Sequence, residues 1–238
     1  VHTPGDELFF GFLEPDTFLF ERRFSFLKAR NEHDHLKDIL QHKYGVRVHE
    51  LREIILKQAM HRPRVKRELV KLGVNAAKFA GTERDVKKAF GSLRKGTRLL
   101  DIEFFFDSLL LNPTTHMGTP YPHVSIEAPL ANLFFVRDQQ AVTDRGIVIG
   151  NPFHLVRRRE TQVTRFAFKL LGLPICHQIS GDATLEGGDF MPMKDFALVG
   201  MGARTNEEGV KQLLKNGVDF DEVAVVHQPY HPDMPYDN

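Results

Sequence analysis

Hydrophobic and polar positions give the chain two kinds of pattern. From Asn132 onward, short apolar runs separated by turn residues recur with a period of about fifty residues. Each repeat predicts two strands, a helix and a closing strand, which is a ββαβ unit. The first copy has predicted strands at 132–138, 147–149 and 174–179, a hairpin turn at 143–146 and a helix at 157–171.

The second copy begins at Leu185 and passes through a strand into a turn at Lys194-Asp195. A strand at 196–199 and a closing strand at 222–226 flank a helix that ends near Gly217. Thr205 and Glu208 have the spacing of a capping box, so we expect the helix to begin there. Similar units that meet edge to edge favour a propeller-like arrangement.

The region before Asn132 has apolar residues mainly at helical spacing. Residues 31–44 predict a helix that stops at Gly45, and residues 46–51 predict a strand. Apolar positions in 52–112 have helical spacing and predict three or four helices. We therefore expect an α/β protein with repeat architecture at 1–51 and 113–238 and a helical insertion at 52–112.

Composition excludes several classes of protein. Of 238 residues, 42% are hydrophobic and 26% charged, as in a soluble globular domain. Lys plus Arg (32) nearly balances Asp plus Glu (31), so we expect no nucleic-acid or membrane partner, and any anion site must be local. Cys176 is the single cysteine and lies in a predicted buried strand. Because one cysteine cannot form a disulfide within the chain, the composition fits a reducing compartment such as the cytoplasm.

Acidic residues are the first candidates for chemistry. Glu186 and Asp189 flank a Gly-Gly pair, where the main chain allows close approach, and Asp138 has the corresponding place in the preceding unit. If the units pack around an axis, these carboxylates converge, and their repulsion requires a bound cation or protons. The alternative is a tight turn with two solvated acids, with Arg137 paired to a nearby carboxylate.

Arginines are the second candidates. Arg157, Arg158 and Arg159 begin one predicted helix, and Arg204 begins the next. A helix N-terminus already favours negative charge, so arginines there indicate a clamp for a carboxylate or phosphate. The alternative is a solvated basic turn. Acids for a cation and arginines for an anion together describe a small zwitterion, and free arginine fits.

The chain also resembles a known family. Its four motifs are Asn132-x-x-Phe135-x-Arg137-Asp138, Arg157-x-x-Glu160-Thr161, Leu185-Glu186-Gly187-Gly188-Asp189 and Gly200-Met201-Gly202-x-Arg204. In this order and spacing they are similar to those of arginine deiminase, a member of the guanidine-modifying superfamily. The resemblance implies a partial five-bladed α/β-propeller with an inserted α-helical domain.

The resemblance also implies roles for residues. Asp138 and Glu186 would be catalytic, holding the substrate guanidinium, with Glu186 assisting proton transfer. Five residues would bind L-arginine or support its site: Asn132, Phe135, Arg157, Asp189 and Arg204. The reaction gives L-citrulline and ammonia without a metal or organic cofactor.

The family also uses a cysteine nucleophile and a His-x-Asp motif, which are not present here as expected. His231-Pro232-Asp233 comes too early and lies among prolines, and His33-Asp34-His35 is better explained as a solvated helix turn than as a metal site. Because the chain also starts at Val1, we expect a fragment that turns over nothing alone.

Three alternatives stay open. One is another guanidine-modifying hydrolase, for methylated arginine or agmatine, and a second is an amidinotransferase. Agmatine fits less well because it lacks the carboxylate that the arginines would hold. The third is a non-catalytic arginine-binding module, and the oligomeric state is also open, with a homo-oligomer among the choices.

Overall fold

A computed structural model of the chain describes residues 1–118 and 121–229. These residues form eight α-helices and nine strands in three three-stranded sheets, so the predicted α/β class is confirmed. The chain divides into two compact units, residues 3–131 and a second unit made of residues 1–2 with the chain from Asn132 onward. The predicted boundaries at 51/52 and 112/113 stay predictions.

The unit at 3–131 is mainly helical, and four of its helices lie in the region predicted to hold three or four. The predicted strand at 46–51 is wrong, because Leu51 begins a helix and buries its side chain there with Ile55. A π-helical turn, Ile39–Lys43, extends the second helix. The six helices are α1 Asp6–Gly11, α2 Phe26–Asp38, α3 Leu51–His61, α4 Pro63–Ala76, α5 Glu83–Gly96 and α6 Ile102–Leu111.

Close packing of α4 on α6 organises the core of this unit. A Cβ atom at Gly73 would lie 2.4 Å from the carbonyl oxygen of Phe105, so only glycine allows the two backbones to approach this closely. A small sheet completes the unit: its outer strand at 78–80, within the predicted helical region, was not predicted. The strands are β1 Lys78–Ala80, β2 Thr114–His116, parallel to β1, and β3 His123–Ser125, antiparallel to β2.

The second unit contains two ββαβ units, as predicted. In each, two antiparallel strands are followed by a helix and a third strand parallel to the second. The first comprises β4 Gln140–Thr143, β5 Gly146–Ile149, α7 Glu160–Leu170 and β6 Ile175–Gln178. The second comprises β7 Phe190–Pro192, β8 Phe196–Met201, α8 Glu207–Asn216 and β9 Glu222–His227.

Two local predictions in this unit are wrong. The predicted strand at 132–138 is a turn and a 3₁₀ helix, Val136–Gln139, because its N–H groups bond locally; that of Asp138 donates to the carbonyl oxygen of Phe135 at 3.1 Å. The cap of α8 is Asn206, whose side chain accepts from the N–H of Gly209 at 2.8 Å. Thr205 is buried one residue earlier and has other partners.

The core of the second unit lies between the two ββαβ sheets and their helices. Cys176 does not belong to it, contrary to the prediction: its side chain is exposed on β6 because alternate residues of a strand face opposite sides. The side chains of this core come from both ββαβ units and the segment between them: Ala141, Val148, Ile179, Ala183, Leu185, Phe190, Ala197, Val199, Val210, Leu213 and Val218.

Two motifs that contain histidine and aspartate, at 33–35 and 231–233, remain to be placed. Asp34, in the predicted solvated turn, lies on α2 and forms an ion pair with Lys37 at 2.7 Å. His231-Pro232-Asp233 lies outside the described residues.

Within residues 1–118 and 121–229, none of the helices combines the length and apolar character that crossing a bilayer requires.

Candidate active site

The Gly-Gly turn that follows Leu185 lies directly against the main chain of the preceding unit. A Cβ atom at Gly187 would come within 1.9 Å of the carbonyl oxygen of Gln140 and 2.2 Å of that of Arg137, so no other residue fits without moving the backbone. This contact holds Glu186 beside Asp138, 48 positions earlier in the chain. The Gly-Gly pair therefore brings two acids of consecutive units together.

Three carboxylates surround one buried guanidinium. Nη1 of Arg157 donates to Oδ2 of Asp138 at 3.0 Å and to Oε2 of Glu186 at 3.2 Å, and Nε donates to Oε2 of Glu160 at 3.2 Å. Only 3% of the Arg157 side chain is exposed to solvent. We call Arg157 and these three acids the carboxylate cluster.

Glu160 fixes Arg157 from the start of α7. The two residues are three apart, Arg157 in the 3₁₀ turn Leu155–Arg157 and Glu160 as the first residue of the helix, so their side chains lie on one face. Glu160 is fully buried and also accepts from the N–H of Asn132 at 3.1 Å and from Nε2 of Gln139 at 2.9 Å. It therefore joins Arg157 to the segment that carries Asp138.

Burial controls the protonation of the cluster. It raises the pKa of Glu160 to about 7, although Arg157 and the donors from Gln139 and Asn132 act in the opposite direction. Burial also raises the pKa of Glu186, with Asp138 among the groups that add to the shift and Arg157 opposing it. Burial would lower the pKa of Arg157, but the three carboxylates outweigh it and raise that pKa. Burial therefore favours the protonated form of Glu186 relative to a carboxyl group exposed to water.

Asp189 belongs to a second network on the same turn. The hydroxyl of Thr205 donates to Oδ2 of Asp189 at 2.5 Å and accepts from the N–H of Glu186 at 3.1 Å. Nε2 of Gln228 donates to Oδ1 of Asp189 at 3.1 Å. Thr205 is completely buried, so it fixes both ends of the turn that carries the two acids.

The remaining predicted residues lie around the cluster. The Phe135 ring, 46% exposed, has its centroid 5.9 Å from Cζ of Arg157. Nη1 of Arg204 is 3.5 Å from Oε2 of Glu186, and Asn132 is buried with its N–H bonded to Glu160. His154 lies near both arginines; burial lowers its pKa, and their positive charges lower it further.

Two buried atoms of the cluster lack hydrogen-bond partners in the part of the chain that the structure describes. They are Oε1 of Glu186, an acceptor, and Nη2 of Arg157, a donor. A buried polar atom without a partner costs free energy, about 1–3 kcal/mol, until a ligand or water supplies one. The cluster therefore has a free acceptor and a free donor for a ligand that carries both charges.

The structure places the predicted residues at different distances from the cluster centre. Asp138, Glu186 and Arg157 are in direct contact, whereas Asp189 is bonded to Thr205 and Gln228. The sequence interpretation gave no role in the site to Glu160 or His154, although Glu160 belongs to one of the four motifs, and it gave Thr205 only a helix-capping role. The three-residue spacing from Arg157 was a signal for Glu160, whereas the contacts of Thr205 and His154 depend on tertiary packing.

Comparison with known proteins identifies the family of the chain. The family model for arginine deiminase matches residues 16–234. The chain belongs to the arginine deiminase family. Arginine deiminases of Staphylococcus aureus strains JH9 and Newman are each 29% identical over 201 residues, which cover 79% of this chain and 48% of theirs. The chain thus spans about half the length of these curated relatives.

Solved structures give weaker matches. One is a dimethylarginine dimethylaminohydrolase from Pseudomonas aeruginosa complexed with citrulline, 30% identical, with a TM-score of 0.37 over 43% of this chain and 40% of that one. Another is the N-terminal domain of ArgZ, an arginine dihydrolase from cyanobacteria, bound to product, 15% identical, with a TM-score of 0.37 over 49% of this chain and 40% of that one. These scores are too low to support an argument about geometry.

Proposed function

We propose that the complete protein containing this chain hydrolyses L-arginine to L-citrulline and ammonia. The observation that carries the proposal is that Asp138 and Glu186 both accept a hydrogen bond from the same guanidinium nitrogen of Arg157. Carboxylates that converge on one guanidinium of the chain offer the same charge and donor geometry to the guanidinium of free arginine. The names of the S. aureus relatives support this substrate.

Substrate binding requires an exchange at Arg157. Its guanidinium lies between Asp138 and Glu186, where we place the guanidinium of the substrate. Because one guanidinium replaces another, Asp138 and Glu186 keep a cationic partner throughout the exchange. Arg157, once displaced, joins Arg204 to hold the substrate carboxylate, helped by Asn132.

The other site residues have supporting roles in this proposal. Phe135 lines the aliphatic part of the substrate, since its ring is half exposed beside the cluster. Asp189 keeps the Gly-Gly turn in place through Thr205. Glu186, whose pKa burial raises, accepts and returns a proton during the reaction.

The chemistry follows that of the family. A cysteine thiolate attacks the guanidinium carbon, one C–N bond breaks, and protonated nitrogen leaves as ammonia. Water then attacks the amidino carbon and releases the thiolate with citrulline. Cys176, the single cysteine of these 238 residues, is exposed on β6, and its thiol lies against the carbonyl oxygen of Ile147. We therefore assign the nucleophile to a part of the protein outside this chain and expect this chain alone to be inactive.

We also propose that the two ββαβ units are blades of an α/β-propeller. Each has one antiparallel and one parallel strand pair with the helix between the second and third strands. In both, the segment that leads into the first strand carries site acids, Asp138 in one and Glu186 with Asp189 in the other. Blades around an axis would bring such segments to a common centre.

Turnover by the complete protein tests the proposal. We expect citrulline and ammonia to form from L-arginine, and Asp138→Asn and Glu186→Gln each to lower kcat/KM at least a hundredfold, about the loss of one stabilising group in a desolvated site. Asp195→Asn, an exposed acid in the turn between β7 and β8, is the matched control and should leave turnover unchanged. Equal turnover by all three variants would contradict the proposal.

The choice of substrate separates the alternatives. L-Arginine should be preferred over agmatine, which lacks the carboxylate, and over methylarginine. Preference for methylarginine would favour a methylarginine hydrolase, and transfer of the amidino group to an amine would favour an amidinotransferase. Binding of L-arginine without turnover by the complete protein would favour a non-catalytic module.

A further inference from the structure

Positive charge is concentrated in one segment of the helical unit. Between Pro63 and Arg98, eleven Lys or Arg residues occur with three Asp or Glu, an excess of eight positive charges in a chain whose net charge is +1. The remainder of the chain is therefore acidic overall. Such a local excess makes a field that attracts anions to this segment even though the chain as a whole is nearly neutral.

Some of these positively charged side chains line a groove between two helices. It has a volume of about 700 Å³ and lies between α4 and the C-terminal end of α5. Its walls contain no acidic residue, and Pro63, Val70 and Val74 supply an apolar surface within it. We call it the basic groove, and its cationic side chains are Lys66, Arg67 and Lys71 from α4, Arg94 from α5, and Arg98 just beyond α5.

These five side chains have no ion pair or side-chain hydrogen bond within residues 1–118 and 121–229. Two other exposed lysines of the same unit do have acidic partners: Lys87 on α5 pairs with Glu83, and Lys28 on α2 lies 3.7 Å from Glu32. The charged side chains that line the groove are thus all positive, and the described residues supply no counter-charge to them.

We propose that the basic groove binds a small organic polyphosphate, a molecule with several phosphate groups and an apolar or aromatic body. The volume lies within the range of about 300–1,000 Å³ that is typical of small-molecule sites. Arg94 and Arg98 present guanidinium groups, which bind phosphate oxygens bidentately, and the lysines add point charges. Val70 and Val74 offer an apolar surface to the body of the ligand. This site is independent of the carboxylate cluster and of the reaction proposed for it.

Calorimetric titration of the chain with ATP, tripolyphosphate and AMP at fixed ionic strength tests the proposal. We expect saturable 1:1 binding of ATP, at least tenfold tighter than binding of either other probe, because tripolyphosphate lacks the body and AMP lacks the charge. Equal affinity for tripolyphosphate would assign the groove to inorganic polyphosphate and overturn the organic ligand. Absence of saturable ATP binding would overturn the site altogether.

Two double variants separate the groove from net charge. Lys71→Gln with Arg94→Gln removes one cation from each wall and should weaken ATP binding at least tenfold. Arg84→Gln with Lys87→Gln removes the same charge from α5 outside the groove and should leave binding within twofold of the parent. Equal weakening by both would overturn the site. Tighter binding of a single-stranded oligonucleotide that displaces ATP would overturn the small ligand in favour of nucleic acid.

Discussion

The carboxylate cluster and the basic groove both contain arginine side chains, but under opposite conditions. In the cluster, a 3% exposed Arg157 contacts three carboxylates, whereas the arginines and lysines of the groove are exposed and lack acidic partners in the described ranges. A buried charge is unstable without a partner, but an exposed charge is stabilised by water and screened by salt. We therefore expect the stability of the unit to depend on Arg157 much more than on any one cation of the groove.

The largest expected effect comes from removing the central guanidinium. Arg157→Met should lower the free energy of unfolding by about 3–5 kcal/mol at neutral pH, because it leaves Glu160 and its neighbours buried without a cation. Arg94→Met in the basic groove is the matched control and should change stability by less than about 0.5 kcal/mol. Urea unfolding of both variants measures the difference, and similar losses would erase the contrast between the two regions.

The pH dependence of stability tests whether burial or pairing dominates at Glu160. Because burial raises its pKa from 4.5 to about 7, the folded protein keeps a proton there that the unfolded chain has already lost. The stability contribution of this residue is fully present below pH 4.5 and is lost as pH rises through 7. The free energy of unfolding of the wild type, minus that of Glu160→Gln, should therefore fall by up to about 3 kcal/mol across this window.

Chemical unfolding of both proteins at several pH values measures this difference. Other titrating groups are common to the two proteins and cancel. A difference that rose with pH would mean that Arg157 stabilises the ionised carboxylate more than burial opposes it.

Thr205 provides a finer test, because it supports the cluster without contacting Arg157. Thr205→Val removes the hydroxyl that joins the N–H of Glu186 to Asp189 and should lower the free energy of unfolding by about 1–3 kcal/mol. Thr205→Ser keeps the hydroxyl and should lose much less. If both variants lost the same amount, the methyl group rather than the hydrogen bonds would account for the effect.

The smallest expected effect is relief of repulsion in the basic groove. Lys71→Gln should raise the free energy of unfolding by up to about 0.5 kcal/mol at low ionic strength, because like charges face one another there. The gain should vanish at high salt, where exposed charges are screened. A gain that persisted in high salt would show that the charge of Lys71 is not the cause.

Sequence patterns predicted much of the fold because local signals and tertiary structure agree in the repeat. Apolar runs and turn residues marked both helices and five of the six strands of the two ββαβ units, and β4 was the strand that they misplaced. The segments at 46–51 and 132–138 misled because their apolar residues resemble strands, whereas Leu51 packs as part of a helix and Asp138 closes a local turn. The spacing of apolar residues along the sequence does not show which hydrogen bonds neighbouring segments of the same chain will form.

The candidate site was predictable as a set of residues but not as a set of contacts. The motifs singled out Asp138, Glu186 and Arg157, yet the spacing along the chain did not show that Arg157 points at the two acids. Nor could it show that Thr205 supports the Gly-Gly turn instead of capping α8. These facts depend on how consecutive units pack, which a single sequence specifies only through side-chain fit.

The central claim is that Asp138 and Glu186 together form a guanidinium site. It is tested most directly by urea unfolding of Arg157→Ala with millimolar methylguanidinium, and with methylurea as the uncharged control of similar shape. We predict that methylguanidinium raises the free energy of unfolding of this variant, that methylurea does not, and that the gain disappears when Asp138→Asn and Glu186→Gln are added. Equal effects of the two compounds, or a gain that survives without both carboxylates, would contradict the claim.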